Sequence, residues 1–206
     1  MTPEEMLDRI KWFGNASFLI DASKTIYIDP YKIPDGAKDA DIILITHDHF
    51  DHCSPVDVKK IHSFKTVMIG PGSCRQKFFG QYKLIKPMDT MDIKGVKIRG
   101  VFAYNVNKNF HQRSENNLGY LITVDGVTIY HAGDTDMIPE IKNLKPDIAM
   151  LPVGGEYTMS ASEAIEAVRE IKPGIAIPMH YGSVAGNEYD AKHFEDNAPC
   201  EVKVFK

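Results

Sequence analysis

DIILITHDHFDHCSP, residues 41–55, contains an apolar run, a dense group of metal-ligand side chains and a helix start. The apolar run does not alternate with polar residues, which is typical of a strand that is covered on both faces. Three histidines and two aspartates follow between His47 and His52. Ser54 and Pro55 then supply an N-cap and a first-turn proline. The stretch predicts a buried strand, a ligand-bearing loop and a helix, as in a layered α/β domain.

The spacing within this loop suits metal binding. In extended backbone, residues two apart point the same way, so His47, His49 and Asp51 converge on one side. His52 follows as the chain turns towards the helix. Imidazole nitrogens and carboxylate oxygens are favoured ligands of zinc and similar divalent metals. A solvated polar turn is the alternative, and the density of ligand types argues against it.

Two later strands also end in ligand-type residues. VTIYHAGDT, residues 127–135, leads to Asp134, and GIAIPMHY, residues 174–181, leads to His180. Taken alone, Asp134 is equally a turn carboxylate and His180 a buried core histidine. Rigid strands that deliver side chains to neighbouring loops commonly build a site. Beside the cluster at His47, both residues are therefore predicted ligands.

The rest of the chain predicts many strands and few helices. Apolar runs bounded by turn formers predict strands at 10–13, 16–21, 25–29, 66–70, 96–103, 119–124, 127–132, 147–153, 174–178 and 201–205. A capping box of Ser160 and Glu163 opens a helix that Pro173 ends. Two sheets packed face to face, with helices outside, account for this pattern in a single domain over residues 1–206.

Composition excludes several classes of function. A formal net charge of −4 gives no general attraction to nucleic acid or anionic lipid. The acidic N-terminus does not resemble a secretory signal, and no apolar run is long enough to span a bilayer. We therefore expect a cytoplasmic protein with a small-molecule substrate. The sequence is compatible with a monomer or a homo-oligomer. The three cysteines are odd in number and far apart, so no disulfide framework is expected, and Cys53 is read as a buried thiol rather than a ligand.

Five segments together resemble the metallo-β-lactamase superfamily. HDHFDH (47–52) is similar to its H-x-H-x-D-H signature, AGDTD (132–136) to its bridging-aspartate loop and PMHY (178–181) to its last histidine. WFGNASFLI (12–20) and YIDPY (27–31) resemble its opening strands. The resemblance implies a four-layered αβ/βα sandwich with a metal centre at one edge of the sheets. It also places the chain in the branch of small cytoplasmic metal-dependent hydrolases.

The resemblance implies roles for the ligands. His47 and His49 would bind a first metal, Asp51, His52 and His180 a second metal, and Asp134 would bridge the pair. The third histidine of the first metal departs from the pattern. Many small relatives carry it directly at the end of a strand, where this chain has Asn105, so His111 is the candidate. Asn15 is a second departure, because relatives often have a histidine in that position.

Further residues are candidates for supporting or substrate-binding roles. Asp29 is either a turn residue or a carboxylate that fixes a ligand histidine, and His131 is expected to orient Asp134. Segment 104–117 either hangs over the metal edge or is a solvated loop. The candidate substrate-binding residues are Asn105, Lys108, Tyr157, Thr158 and Tyr181. His62 and His193 are read as capping or surface residues.

The chemistry implied is hydrolysis at a dinuclear centre. Two divalent ions can share a water, lower its pKa and stabilise the group under attack. Zinc is the leading metal, with manganese, iron or nickel also compatible with this ligand set. Asp51 is the predicted catalytic residue, orienting the hydroxide or accepting its proton. The expected substrate is an ester-type bond, a phosphodiester or a lactone, in a small metabolite. The alternatives are an RNA- or DNA-processing nuclease of the same superfamily and a non-catalytic metal-binding or sensing protein.

Overall fold

The computed structural model describes residues 1–205, which form two β-sheets with helices on their outer faces. The strands of the first sheet are β1 (Ile10–Gly14), β2 (Ser17–Asp21), β3 (Thr25–Ile28), β4 (Ile42–Leu44), β5 (Val67–Gly70) and β6 (Gln81–Leu84). The strands of the second sheet are β7 (Thr90–Ile93), β8 (Val96–Phe102), β9 (Leu118–Val124), β10 (Val127–His131), β11 (Ile148–Pro152), β12 (Ile175–Met179) and β13 (Glu201–Val202). The helices are α1 (Pro3–Leu7), α2 (Pro55–Ile61), α3 (Ala161–Ile171) and α4 (Glu188–Asn197).

The two sheets repeat one plan. Each begins with antiparallel strands, β1 to β3 in the first sheet and β7 to β10 in the second. Each continues with parallel strands, β3 to β6 and β10 to β13. The chain passes from the first sheet to the second once, between Leu84 and Thr90. Within each sheet, the carboxyl ends of the parallel strands lie at one edge, where ligands usually bind in α/β sheets.

Strand β4 is buried on both faces, as its unbroken apolar run predicts. Ile42 and Leu44 belong to the main core between the sheets. Ile43 and Ile45 belong to a second apolar cluster on the outer face, together with Val58 of helix α2. Full burial of each such side chain contributes roughly 1.5–3 kcal/mol. The strand that carries the ligand-bearing loop is therefore held from both sides.

Helix α3 covers the second sheet beside strand β11. Ser160 accepts a hydrogen bond from the backbone N–H of Glu163, and the Glu163 side chain completes the capping box. Ala164, Val168 and Ile171 are buried on one face of the helix, and they extend the main core. With α2 outside the first sheet, these layers form the four-layered αβ/βα sandwich.

Some elements were not predicted from the sequence. Strands β6 and β7, together with helices α1 and α4, are additions, and the predicted strand at 201–205 is paired only over Glu201–Val202. Helix α4 buries only Ala191 and Phe194, which leaves little apolar periodicity to detect. Strand β6 reads QYKL and is largely exposed at a sheet edge. These misses share one cause, because sequence patterns report burial and these elements bury little.

Two other expectations from composition concern the helices and the thiols. Over residues 1–205, every helix is too short or too polar to cross a membrane. All three cysteines are free. Cys53 and Cys74 are buried in the apolar cluster beneath α2, and Cys53 belongs to none of the potential metal-ligand groups of the described residues. Cys53 is thus a buried thiol, as predicted.

Candidate metal centre

Seven predicted ligands meet where the strands of the two sheets end. The loop between β4 and α2 supplies His47, His49, Asp51 and His52. The loop is turned by the carbonyl of His49, which accepts hydrogen bonds from the backbone N–H groups of His52 at 3.1 Å and Cys53 at 2.8 Å. The second sheet supplies His111 after β8, Asp134 after β10 and His180 after β12.

His47, His49 and His111 form the first ligand group, whose three ligand atoms lie within 4.8 Å of one another. Nδ1 of His49 lies 3.1 Å from Nε2 of His47 and 3.1 Å from Nε2 of His111. Nitrogens around a tetrahedral zinc ion, with bonds of about 2.0–2.1 Å, are roughly 3.3–3.4 Å apart. The group therefore has the spacing of a three-histidine metal site. His47 and His111 are buried, whereas His49 is exposed.

Asp51, His52 and His180 form the second ligand group, and all three residues are buried. Oδ2 of Asp51 lies 3.4 Å from Nε2 of His52 and 4.0 Å from Nε2 of His180. This group contains a carboxylate, so it offers a divalent cation one negative charge as well as two nitrogens. Carboxylate and imidazole are both ordinary ligands of divalent first-row metals.

Asp134 lies between the two groups. Its Oδ2 is 3.2 Å from Nε2 of His180 and 3.5 Å from Nε2 of His111, while Oδ1 is 3.4 Å from Nε2 of His52. Burial opposes the charge of this carboxylate, but His180 and His52 outweigh burial and hold the pKa of Asp134 well below its usual value. Its Oδ1 is buried and accepts no hydrogen bond from the described residues. An ionised, buried oxygen without a donor fits a carboxylate that faces metal ions, so these residues suit a divalent metal.

Several residues of the site have left-handed backbone. The φ angles are +54° at His111, +58° at His180, +45° at Asp29 and +51° at Asn15. A non-glycine residue in this region costs on the order of 1–3 kcal/mol and persists only where surrounding contacts enforce it. Such strain clusters at functional sites, and here it falls on two ligands and on two residues that contact ligands.

Asp29 fixes the ligand His52 directly and is linked to the ligand His47 through Thr46. Its carboxylate accepts a hydrogen bond from Nδ1–H of His52 at 2.7 Å, and it accepts the Thr46 backbone N–H at 2.8 Å and hydroxyl at 2.7 Å. The same hydroxyl lies 2.9 Å from Nδ1 of His47. With Nδ1 of each ring occupied, Nε2 is directed to the ligand cluster. Burial disfavours the charged form of His52, but Asp134 and Asp29 raise its pKa well above the usual value.

Asn15 holds the second ligand group by its side chain and its backbone. Nδ2 donates a hydrogen bond to Oδ2 of Asp51 at 2.8 Å. The carbonyl of Asn15 accepts the backbone N–H of His180 at 2.9 Å and the indole N–H of Trp12 at 2.9 Å. The side chain is buried, and its Oδ1 has no hydrogen-bond partner among residues 1–205. The departure noted in the sequence at this position thus lies directly against a ligand.

His131 secures the loop that carries Asp134 without bonding to that carboxylate. Its Nδ1 accepts the Gly133 backbone N–H at 3.2 Å, and its Nε2 lies 2.9 Å from the carbonyl of Ala16, to which it donates. Burial lowers the pKa of His131, which favours the neutral ring that this arrangement needs. Its effect on Asp134 is therefore indirect, through the backbone of the loop.

A closed loop brings His111 to the site. The backbone N–H of Asn105 donates to the carbonyl of His111 at 2.9 Å, and this hydrogen bond closes residues 105–111 into a loop. The Asn105 amide donates to the carbonyl of Tyr157 at 2.8 Å, and Nδ1 of His111 lies 3.1 Å from the same carbonyl. The Lys108 ammonium binds Asp136 and also donates to the carbonyl of Thr158 at 2.9 Å. His111, not Asn105, therefore joins the first ligand group, and burial lowers its pKa.

The ligands form the floor of a cavity of about 290 Å³. The lining residues are His49, Phe50, Asp51, Phe110, His111, Asp134, Tyr157, His180 and Val184. Among the five candidate substrate-binding residues, only Tyr157 lines the cavity. Phe50, Phe110 and Val184 were missed, although a phenylalanine between charged residues in HDHFDH is itself a signal of an exposed apolar contact.

The other four candidate substrate-binding residues do not line the cavity, for separate reasons. Tyr181 stacks on Trp12 with ring centroids 4.9 Å apart, and its hydroxyl donates to the carbonyl of Phe205 at 3.2 Å. Thr158 is fully buried, and its hydroxyl donates to the carbonyl of Met159 at 3.4 Å. Lys108 is held by Asp136, and Asn105 is buried behind His111. These residues shape the loops around the site and do not line the cavity.

The two histidines read as capping or surface residues lie apart from the ligands. His62 is the C-cap of α2, and His193 lies on α4, where Nε2 is 3.3 Å from the Ser162 hydroxyl. Neither belongs to a ligand group of the described residues. His193 is also exposed, which makes it a suitable control position.

Comparisons with known proteins identify the family of the chain. Residues 9–180 match a family described as the beta-lactamase superfamily domain. A UPF0173 metal-dependent hydrolase of Pyrococcus abyssi is 32% identical over 212 residues, which covers 95% of this chain and 94% of the relative.

Solved structures have the same fold. The crystal structure of a protein from Parabacteroides distasonis has a TM-score of 0.85 at 34% identity and covers 95% of this chain and 91% of its own. Igni18, a metallo hydrolase from Ignicoccus hospitalis, has a TM-score of 0.77 at 22% identity, with 96% of this chain and 94% of its own covered. The resemblance inferred from the sequence is confirmed, and the chain belongs to the metallo-β-lactamase superfamily, among the UPF0173 metal-dependent hydrolases.

Proposed function

We propose that the protein is a dinuclear metal-dependent hydrolase that cleaves an ester-type bond, a phosphodiester or a lactone, in a small metabolite. The position of Asp134 carries the proposal. This carboxylate lies within 3.5 Å of nitrogens of both ligand groups, and each group supplies three ligand atoms. A single carboxylate between two such groups is the arrangement expected for a bridging ligand.

Two bound divalent ions would supply Lewis acidity and a water of lowered pKa. His47, His49 and His111 would hold one ion, Asp51, His52 and His180 the other, and Asp134 would contact both. Zinc is the leading metal for this set of nitrogen and oxygen ligands. Manganese, iron and nickel remain compatible.

Asp51 would have a second task beyond binding. It lines the cavity, and Oδ2 is fixed by the Asn15 amide at 2.8 Å. A carboxylate fixed at the cavity wall can orient the attacking water, and this supports the catalytic role proposed for it. The carboxylate of Asp134 is enclosed by four imidazole nitrogens, those of His47, His52, His111 and His180, and would serve as the bridging ligand.

The size of the cavity supports a small substrate. About 290 Å³ lies at the lower end of the range for small-molecule sites. No lysine or arginine is among the residues of the described chain that line it. This composition argues against the nuclease alternative, since RNA binding relies on clustered positive charge.

Elemental analysis tests the proposal directly. Protein purified without added metal or chelator is expected to contain two equivalents of divalent metal and to hydrolyse members of a phosphodiester and lactone panel. Asp51→Asn is expected to abolish turnover. His193→Gln, which changes a histidine outside the site, is the matched control and should retain two equivalents and full activity. A fully metallated protein without turnover on the panel would favour the non-catalytic alternative.

A further inference from the structure

The mouth of the cavity is apolar, in contrast to its floor. Phe50, Phe110, Tyr157 and Val184, called here the apolar mouth, line the cavity above the ligands. Phe50 is 67% exposed and Phe110 47% exposed. A single exposed apolar residue is ordinary on a protein surface. Four that converge on one cavity from separate loops indicate a contact surface for a ligand.

The apolar mouth is organised by neighbouring side chains. The rings of Phe110 and Tyr157 pack edge to face, with centroids 4.9 Å apart and planes at 88°. Phe50 packs edge to face on Tyr31, with centroids 6.0 Å apart. On the side of Val184, the Lys32 ammonium donates to the hydroxyl of Ser183 at 2.7 Å. Such edge-to-face pairs restrict ring orientation, so the surface is largely formed before a ligand binds.

Cations of the surrounding loops are engaged away from the cavity. Lys108 binds Asp136, and Lys77 donates to the carbonyl of Asp48. Arg113 pairs with Glu140 at 2.9 Å. None of these residues lines the cavity. A phosphate or carboxylate remote from the reacting bond normally requires a lysine or arginine partner, and the residues that line this cavity supply none.

From these observations we propose that the site selects substrates whose group next to the reacting bond is uncharged and apolar, such as an aryl ring or a short hydrocarbon chain. Nucleotides and other polyanions are disfavoured. The proposal rests on the proposed function, since the metal ions would hold the reacting group while the apolar mouth holds its neighbour. The cavity volume of about 290 Å³ accommodates a substituent of this size.

Binding of two hydroxamates to the zinc-loaded protein tests this selectivity without requiring turnover. Acetohydroxamate and benzohydroxamate carry the same metal-binding group and differ in the apolar substituent. Calorimetric titration is expected to show that benzohydroxamate binds at least about tenfold more tightly, because its ring is removed from water. Zinc content is measured again after the titration, to exclude extraction of the metal. Equal affinities, or failure of both compounds to bind, would overturn the proposal.

Alanine variants test whether the residues of the apolar mouth are responsible for the difference between the two hydroxamate affinities. Phe110→Ala is expected to reduce the ratio of the two affinities to about threefold or less. The exposed position of Phe110 makes a folding defect a small concern, and circular dichroism checks it. Phe64→Ala, at a residue that is 83% exposed and does not line the cavity, is the matched control and should keep the wild-type ratio. A ratio that is unchanged in both Phe110→Ala and Phe50→Ala would remove the apolar mouth from this role.

Turnover separates the two proposals. Among γ-lactones, the phenyl-substituted compound is expected to exceed the carboxyl-substituted compound at least tenfold in kcat/KM. Preference for the carboxyl compound would overturn the proposed selectivity, whereas the proposed hydrolase function would stand. Selective hydroxamate binding without turnover of any ester would overturn the hydrolase, and the apolar mouth would remain as a ligand-binding surface.

Discussion

The two ligand groups use similar side chains but are supported in different ways. The second group, Asp51, His52 and His180, is fully buried and includes a carboxylate. Asn15 and Asp29, from the first sheet, bond directly to two of its members. The first group consists of three histidines without a carboxylate, has an exposed member in His49 and takes His111 from a closed loop. A metal centre can therefore have one half fixed by the core and one half fixed by a loop.

The difference also affects competition between protons and metal. Burial lowers the pKa of His47 and of His111. His52 belongs to the second group. Burial disfavours its charged form, but the nearby carboxylates of Asp134 and Asp29 outweigh burial and raise its pKa. Since a histidine binds metal only without its Nε2 proton, acid conditions should affect the two groups unequally.

The largest expected effect comes from removing the charge of Asp134, the carboxylate that lies between the two ligand groups. Asp134→Asn keeps the size of the side chain but removes the charge that faces both groups. We expect loss of at least one metal equivalent and a fall in kcat of about 100- to 1,000-fold, of the order seen when charge stabilisation is removed from an active site. Elemental analysis and steady-state kinetics measure these effects. Two retained equivalents with near wild-type turnover would contradict the bridging role.

The second-largest expected effect is a loss of metal affinity in one ligand group and not in the other. Asp29→Asn removes the carboxylate that accepts the His52 Nδ1 proton, while the first group keeps its own histidines. Loss of such an outer carboxylate typically lowers metal affinity about 10–100-fold. Competition titration against a chromophoric chelator should show one weakened equivalent and one unchanged. Equal weakening of both equivalents would show that Thr46, which links Asp29 to His47, couples the two groups.

A pH titration should release the metals in order. The pKa of His52 lies above the ordinary value of 6.5, so a proton competes for this ligand already as the pH falls towards 6.5. The pKa values of His47 and His111 lie below 6.5, so protons compete there only at lower pH. Equilibrium dialysis from pH 8 to 5 should therefore show loss of the second group's metal first. Simultaneous release of both equivalents would go against this order.

The smallest effects should come from the two asparagines that position ligands. Asn15→Ala removes the donor to Asp51, and Asn105→Ala removes the amide beside His111. Each change should weaken one equivalent by up to about tenfold and leave the other unchanged. Metal titration of both variants and of the double variant tests independence. If the double variant loses much more than the two single variants together, the groups are coupled through Asp134.

Sequence reasoning predicted those parts of the fold and site that depend on burial and on strand direction. The unbroken apolar run before His47 predicted a strand covered on both faces, and the structure confirms it. Convergence of His47, Asp134 and His180 followed from their positions at strand ends. Both depend on periodicities that a single sequence contains.

Loop geometry was not predictable in the same way. His111 reaches the site because the Asn105 N–H bonds to its carbonyl, a contact that no spacing rule anticipates. Tyr157 and Thr158 are adjacent in one loop, yet one lines the cavity and the other is buried. Side-chain direction in a loop follows from tertiary contacts, so sequence spacing did not indicate which of the candidate substrate-binding residues line the cavity.

The single passage of the chain from one sheet to the other has a consequence for assembly. The first half supplies His47, His49, Asp51 and His52, and the second half supplies His111, Asp134 and His180. Each ligand group thus takes two members from the first half and one from the second, so neither half completes a group alone. A metal ion bound by a complete group would link the two halves, and it would stabilise the docked state by a free energy that grows with the logarithm of its concentration over its Kd. The onset of high-affinity metal uptake would then report the time at which the two sheets dock during folding, because neither half binds the metal with a complete group before that.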